Sequence, residues 1–257
     1  MANNDVVDLE DMVKRWAMEL FNYTKSKEQA KIPDDCLMVN ISWNKVRFHH
    51  KEAQYQDQWK PPAPKAKVLF RTTFCNNTGQ EQEYSFKAER CTQSTCETVI
   101  ETGYCMGMSM DVKLATPCEV FEANAGFHRE TSLTNVDGET IEEELTWGVD
   151  SQIKVPKNHK TTASLVIDED EFKTNFSMET TISGKVHVTI TNLKENNSFV
   201  KAIDGNIVDI VRREVQNGVR GAVIENNRVK IITKGSCKFS FGIQQHIQID
   251  TENLGGF

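Results

Sequence analysis

The chain has 257 residues, of which 26% are charged, and its formal net charge is −7. A chain of this length can bury a sizeable core, either as one elongated β domain or as two small domains. The mean hydropathy of −0.51 indicates a soluble protein, and no run approaches the roughly 18 apolar residues of a membrane-spanning helix. The acidic balance, without a block of Lys and Arg, argues against nucleic acid as a partner and against a purely electrostatic hold on anionic membranes.

The first residues and the cysteines bear on the compartment. Met1 to Asp5 lack the basic and apolar segments of a secretory signal, so we expect a cytoplasmic protein or one released by a non-classical route. The seven cysteines are an odd number, which favours a reduced compartment. Asn-x-Ser/Thr sequons favour a secreted protein instead, although they matter only if the chain enters the secretory route. They begin at Asn22, Asn40, Asn76, Asn175 and Asn196.

One helix is predicted at the start of the chain, because apolar residues recur there at helical spacing behind an acidic first turn. These residues are Leu9, Met12, Val13, Trp16 and Leu20. Residues 36–48 predict a strand pair or one bent strand. Three prolines between residues 61 and 64 are typical of a linker. We therefore expect an N-terminal part, residues 1–65, with a possible role in membrane or receptor recognition, followed by a module of residues 66–257.

Most of the chain after the prolines has strand-like patterns separated by turn signals. Strands are predicted over residues 68–74, 81–90, 142–155, 161–167, 172–190, 218–223, 229–233 and 238–249. Residues 205–215 fit either a short helix or a strand. The fold class is therefore mainly β with an N-terminal helix.

Residues 96–133 carry the clearest pattern. From Thr98 to Leu114 the even positions are apolar or Thr and most odd positions are polar or small, which predicts a strand with one apolar face. Pro117 breaks the run, and from Phe121 to Phe127 the apolar residues occupy odd positions. The sequence therefore predicts a hairpin of two amphipathic arms.

Two interpretations of this hairpin fit its pattern. Its apolar face could cover an ordinary sandwich core, since the alternating signal of a membrane strand is weak in any one segment. Alternatively, the face could leave a core and enter lipid. The methionines at positions 106, 108 and 110 suit the second interpretation, because they are flexible and have poor strand propensity.

Motifs on both sides of the hairpin follow a characteristic order. Phe74-x-Asn76-x-Thr78 precedes it, and Thr131-Ser132-Leu133-Thr134-Asn135 and Gly138-x-Thr140 end it. Ser151-Gln152-Ile153-x-Val155-Pro156 comes next, and a strand pattern continues to Ser183-Gly184. Over residues 68–190 this order resembles the aerolysin-like pore-forming proteins, in particular the epsilon-toxin and mosquitocidal-toxin branch, with the hairpin at the position of the family's insertion loop.

The resemblance implies a fold and a function. The fold would be elongated, with long twisted antiparallel strands. The protein would bind a membrane lipid or a glycoconjugate receptor and assemble as a homo-oligomeric ring or with a partner subunit. It would then insert the hairpin to build a transmembrane β-barrel, which must close because lipid leaves strand edges unsatisfied. The alternative is a non-lytic, β-rich binding protein of the same fold.

The resemblance also assigns faces to the hairpin residues. The lipid-facing set would be Ile100, Tyr104, Met106, Met108, Met110, Val112, Leu114, Phe121, Ala123, Ala125 and Phe127. The pore-lining set would be Glu101, Gly107, Ser109, Asp111, Lys113, Glu122, Asn124 and Glu130.

His128 is a candidate pH sensor near the base of the second arm, because histidine titrates between pH 5 and 8. A solvated surface histidine without a role is the other interpretation. We expect no enzyme, cofactor or metal site. His49 and His50 are adjacent and would point to opposite faces of a strand, and Cys91-x4-Cys96 is not a zinc spacing.

Overall fold

The computed structural model describes residues 5–107, 109–123, 126–136 and 138–254, and these residues form thirteen strands and three α-helices. The helices are α1 (Leu9–Thr24), α2 (Cys118–Glu122) and α3 (Ile207–Gln216). The strands are β1 (Asp5–Asp8), β2 (Leu37–Ser42), β3 (Val46–His50), β4 (Gln54–Trp59), β5 (Lys65–Asn76), β6 (Gln82–Cys105), β7 (Ser109–Ala115), β8 (Glu130–Asn135), β9 (Glu139–Val155), β10 (His159–Asn192), β11 (Ser198–Asn206), β12 (Ala222–Glu225) and β13 (Arg228–Asn253).

The strand β10 is the axis of the molecule. It has 34 residues, which at about 3.3 Å per residue extend over roughly 110 Å. One edge of β10 pairs in turn with β5, β4, β3 and β2, and the other edge pairs with β13 and then β11, all antiparallel. This long strand makes the fold elongated, as predicted.

Three apolar cores follow one another along β10. At one end, α1 and α3 pack on the sheet around Val188 and Ile190. In the middle, the segment between β6 and β9 packs around Phe172 and Phe176. At the other end, β5, β10 and β13 face β6 and β9 in a two-layered sandwich around Leu165 and Phe86.

The N-terminal helix forms where its spacing predicts it. Leu9, Met12 and Val13 are buried, whereas Leu20 is among the exposed apolar side chains. Asp8 begins the helix, because its Oδ1 accepts hydrogen bonds from the backbone N–H groups of Glu10 and Asp11. Residues 36–48 contain two strands, β2 and β3, which do not pair with each other but follow one another along one edge of β10, close to the bent-strand alternative.

Several predicted boundaries are wrong because local patterns do not show where a strand continues. Residues 161–167 and 172–190 belong to the single strand β10, and residues 229–233 and 238–249 belong to the single strand β13. Residues 207–216 are helical, which decides between the two alternatives for that segment. The proposed division at residue 65 stays a prediction, since β4 and β5 on either side of the prolines both pair with β10.

Candidate functional site: a covered amphipathic flap

The residues between 106 and 135 form a flap that connects β6 to β9. Within the flap, β7 pairs with β8 in antiparallel register, with Val112 opposite Leu133 and Ala115 opposite Glu130. This two-stranded sheet is separate from the eleven-stranded sheet of the remaining strands. Because an isolated two-stranded sheet is marginally stable in water, side-chain packing must hold the flap in place.

The packing comes from one apolar face of the flap. Met110, Val112, Leu114 and Leu133 are each at most 3% exposed. They share a core with Phe172, Phe176, Met178, Phe239 and Phe241 of the main sheet. Phe127 also packs there, with its ring edge-on to that of Phe239 at a centroid distance of 5.4 Å. The flap is therefore a lid whose apolar face is covered by the body of the protein.

Hydrogen bonds join the flap to the body near its two ends. The Tyr55 hydroxyl donates to the backbone carbonyl of Ala115, at the end of β7. The Gly107 N–H donates to Asp8 Oδ1 at 3.2 Å, so the residue that begins α1 also holds the turn into the flap. Gly107 has a φ of +69°, which favours glycine, and a Cβ built there would lie 2.7 Å from Glu10 Oε2.

The first predicted arm keeps its alternation in the structure, although it is not one continuous strand. Ile100 and Tyr104 are buried on β6, and Met110, Val112 and Leu114 are buried on β7, while Met106 is half-buried between them. A tight turn after Cys105 separates the two strands, and the backbone of Met106 bonds to that of Ser109. Met108 lies outside the described residues.

The predicted strand in the second arm is wrong for this structure. Cys118–Glu122 is helical and follows Pro117, whose carbonyl accepts from the N–H groups of Val120 and Phe121. Proline suits the start of a helix because it lacks an N–H to satisfy. Val120 is buried, whereas Phe121 is 48% exposed and Ala123 is half-buried. Ala125 lies outside the described residues.

Most of the predicted pore-lining residues that the structure describes are exposed. In the described part of the chain, Glu101, Ser109, Lys113, Glu122 and Glu130 are exposed and Gly107 is half-buried. Asn124 and the side chain of Asp111 lie outside the described residues. The flap thus has one covered apolar face and one face in water, which is the division that the residue pattern predicts for β7.

His128 lies in the loop before β8. Its side chain is 85% exposed, and Nε2 lies 3.8 Å from Glu143 Oε1 on β9. This carboxylate could pair with a protonated imidazole. The role of His128 in pH sensing stays a prediction.

Sequence reasoning missed three groups at the flap. Asp8 and Tyr55 hold its ends, and Cys237 lies beneath it next to Cys96. A glycine at position 107 inside a long alternating run was a usable signal for the turn. The contacts of Asp8, Tyr55 and Cys237 join residues about 60 to 140 positions apart, and no local pattern indicates them.

Neither a metal site nor a membrane-spanning helix is found in the part of the chain that the structure describes. Its His, Cys, Asp and Glu side chains form no group of three or more that could hold a metal ion. Among the described helices, none is long and apolar enough to cross a membrane.

The fold has counterparts among solved structures. A non-toxic crystal protein from Bacillus thuringiensis matches with a TM-score of 0.56 and 19% identity, over 97% of this chain and 98% of that one. A chain of the Cry23Aa1 and Cry37Aa1 binary protein complex matches with a TM-score of 0.54 and 12% identity, over 97% and 90%. At these identities the similarity concerns the fold.

The sequence itself identifies the family. Residues 48–256 match the family of Clostridium epsilon toxin ETX and Bacillus mosquitocidal toxin MTX2, and this range is most of the chain. The protein therefore belongs to this toxin family, which confirms the predicted family, and its elongated sheet of long strands confirms the predicted fold class. No curated protein sequence is similar enough to count as a match.

Proposed function

We propose that the protein binds a membrane, assembles into a ring and releases the flap as an inserted β-hairpin. The observation that carries this proposal is the flap itself. In the described residues its strands form a β-ladder with each other and not with the main sheet, and its buried face is made of flexible or branched apolar side chains. The flap itself can leave the body without breaking a strand ladder and then needs another apolar environment. For full insertion the end of β6, up to Cys105, must also part from β13 and β1.

The position of the flap supports the same function. β6 and β9 are paired from Gln82 opposite Val155 to Thr98 opposite Glu139, and the flap lies beyond this last pair. If the flap straightens, β6 continues through β7 and returns through β8 into β9. Residues 99–138 are enough for two arms, since a membrane-crossing strand needs only about 9–11 residues.

Insertion requires assembly, because an open hairpin in lipid leaves backbone N–H and C=O groups unsatisfied at a cost of several kcal/mol each. Closure could come from identical protomers or from a partner subunit, and the binary complex among the similar structures makes the second route worth testing. In the inserted hairpin, the lipid-facing and pore-lining sets are those that the sequence predicts.

In this proposal the N-terminal part of the protein recognises the target membrane. Tyr23 near the end of α1 is 90% exposed, and Met38 on β2 is 44% exposed. An exposed tyrosine offers both an apolar ring and a polar tip, which suits a lipid interface or a glycoconjugate. We propose a membrane lipid or a glycoconjugate as the receptor.

The experiment is dye release from lipid vesicles, combined with gel electrophoresis for a detergent-resistant oligomer. In the presence of vesicles we expect dye release and a single band of high mass on the gel. The alternative is a non-lytic binding protein, for which the non-toxic crystal protein among the similar structures provides a precedent. Membrane binding without release and without an oligomer would favour that alternative.

Reversing the charge of one residue tests whether that residue lines the pore. Lys113→Glu should move the ion selectivity of the channel toward cations, because the new carboxylate would face the lumen. Lys31→Glu is the matched control, since Lys31 is also exposed but lies in the N-terminal part. Equal reversal potentials for the two variants in planar bilayers would contradict the placement of Lys113.

A further inference from the structure

Two cysteine side chains lie together beneath the flap. Cys96 is on β6 and Cys237 is on β13, and they are 2% and 3% exposed. Cys96 is opposite Phe239, and Cys237 is opposite Thr98, so the two cysteines are diagonal neighbours on one face of the sheet. The Thr98 hydroxyl oxygen is 3.7 Å from the Cys96 sulfur and 3.8 Å from the Cys237 sulfur.

The flap covers this pair of thiols. The pocket that contains them is closed by Leu114, Ala115 and Thr131 of the flap and by Tyr55 of β4. The hydrogen bond from Tyr55 to the Ala115 carbonyl lies directly at this pocket. A reagent in water therefore reaches the sulfurs only when the flap moves.

The two thiols are chemically unequal. A hydrogen bond from the Cys237 thiol lowers the pKa of Cys96, whereas the same contact and burial raise the pKa of Cys237. The thiolate is the attacking form of cysteine, so this difference favours Cys96 as the sulfur that reacts first and Cys237 as the one that follows.

The position of the pair on the strands gives it a mechanical consequence. β13 pairs with β6 between Lys234 opposite Thr102 and Ser240 opposite Thr95. If β6 is to continue as a membrane-crossing arm beyond Thr98, as the proposed function requires, its pairs with β13 from Val99 to Thr102 must break. A covalent bond between Cys96 and Cys237 would hold the two strands together immediately before these pairs.

We propose that Cys96 and Cys237 are a redox modification site, which a low-molecular-weight disulfide oxidises when the flap opens, and that the resulting disulfide fastens β6 to β13 and stops insertion. The effect on insertion rests on the proposed function, whereas the site does not. Diagonal neighbours are about 7–8 Å apart at their Cα atoms. Oxidation therefore draws the strands slightly together to reach the usual disulfide span.

The chemistry balances with oxidised glutathione as the reagent. The Cys96 thiolate attacks one glutathione sulfur, which forms a mixed disulfide and releases one glutathione thiolate. That thiolate takes up a proton from the protein thiols. Cys237 then attacks the Cys96 sulfur as a thiolate, closes the protein disulfide and releases the second glutathione. Two protein thiols are oxidised, and one small disulfide is reduced to two thiols.

The first test measures the modification itself. Ser replaces the exposed Cys75, Cys91 and Cys118, and this protein is incubated with oxidised glutathione. We expect intact mass to fall by two hydrogens and a peptide map to join Cys96 to Cys237. With Cys237→Ser in addition, a glutathione adduct should persist on Cys96. A lasting adduct on the protein that keeps Cys237, or no oxidation even in subdenaturing urea, would overturn the site.

A matched pair of flap variants tests whether the flap controls access. Val112→Ala removes a buried methyl pair from the flap, whereas Lys113→Ala changes an exposed neighbour. Oxidation should be faster in the first variant and unchanged in the second. Equal rates in both would show that the thiols are reached by another route and would refute control by the flap.

Dye release then tests the consequence. The oxidised protein should release no dye, and reduction with dithiothreitol should restore release to the level of the untreated sample. Unchanged release from fully oxidised protein would refute the lock. If the reduced protein fails to release dye, the proposed function fails, and the mass measurement still decides whether the site exists.

Discussion

A disulfide between the flap and β9 should abolish pore formation until it is reduced. A Cβ built on Gly126 lies 3.5 Å from the Cβ of Glu143, which is within the usual disulfide range of about 3.5–4.5 Å. Gly126→Cys with Glu143→Cys therefore suits a crosslink, although the φ of +84° at position 126 strains a cysteine there. In a straightened hairpin both residues would lie on the same arm, 17 positions and thus about 55 Å apart. The crosslinked protein therefore stays in the closed form and cannot reach the inserted form.

The assay compares dye release before and after reduction, in a protein whose exposed cysteines have been replaced by Ser. Release should be at the background level of the vesicles when the crosslink is complete, and dithiothreitol should restore it. Membrane binding, measured by flotation with vesicles, should be the same in both states. The single variants Gly126→Cys and Glu143→Cys are the controls and should be active without reductant. Full release from verified crosslinked protein would refute the movement of the flap.

Other perturbations test the packing and the charges. Leu114→Ala should lower the free energy of unfolding by about 2–5 kcal/mol, because it opens a cavity under the flap, whereas the exposed Lys113→Ala should change it by less than about 0.5 kcal/mol; urea titration measures both. The pKa of Glu179 is lowered mainly by its hydrogen bond from Lys230, so its contribution to stability is present above the ordinary carboxyl pKa and is lost as the pH falls through the lowered value. Glu179→Gln should therefore reduce the urea midpoint at neutral pH, and a deficit that persists in strong acid would contradict this. Acid should speed dye release through His128, and His128→Gln should weaken that response; a flat wild-type pH profile would dismiss the sensor.

Part of the fold follows directly from local sequence. The spacing of Leu9, Met12 and Val13 predicts α1, because a helix must bury one stripe whatever surrounds it. Alternation predicts β7 and the buried positions of Met110 and Val112 for the same reason, since a strand with one face in water has a period of two. The order of motifs around the flap predicts the family, and the family match over residues 48–256 confirms it.

The course of the long strands was not predictable in this way. The patterns in β10 and β13 weaken where the strands pass from one core to the next, so the residue pattern predicts two short strands in place of each long one. The alternation of Phe121, Ala123 and Phe127 predicts a strand that begins at residue 121, but in a segment this short the same residues also fit the end of a helical turn. The helix is favoured because Pro117 suits a helix start and because the helical turn buries Val120.

The amphipathic character of residues 98–114 follows from the order of their side chains alone, and it is kept in any structure that covers the apolar face. Which surface covers that face depends on how the whole chain folds. The flap folds back because Phe172, Phe176 and Phe239 present an apolar surface opposite it. In addition, Asp8 accepts a hydrogen bond at one end of the flap and Tyr55 donates one at the other. The contact between Cys96 and Cys237 likewise depends on the register of β6 with β13. Register is a relation between strands far apart in the chain, and no local pattern of residues encodes it.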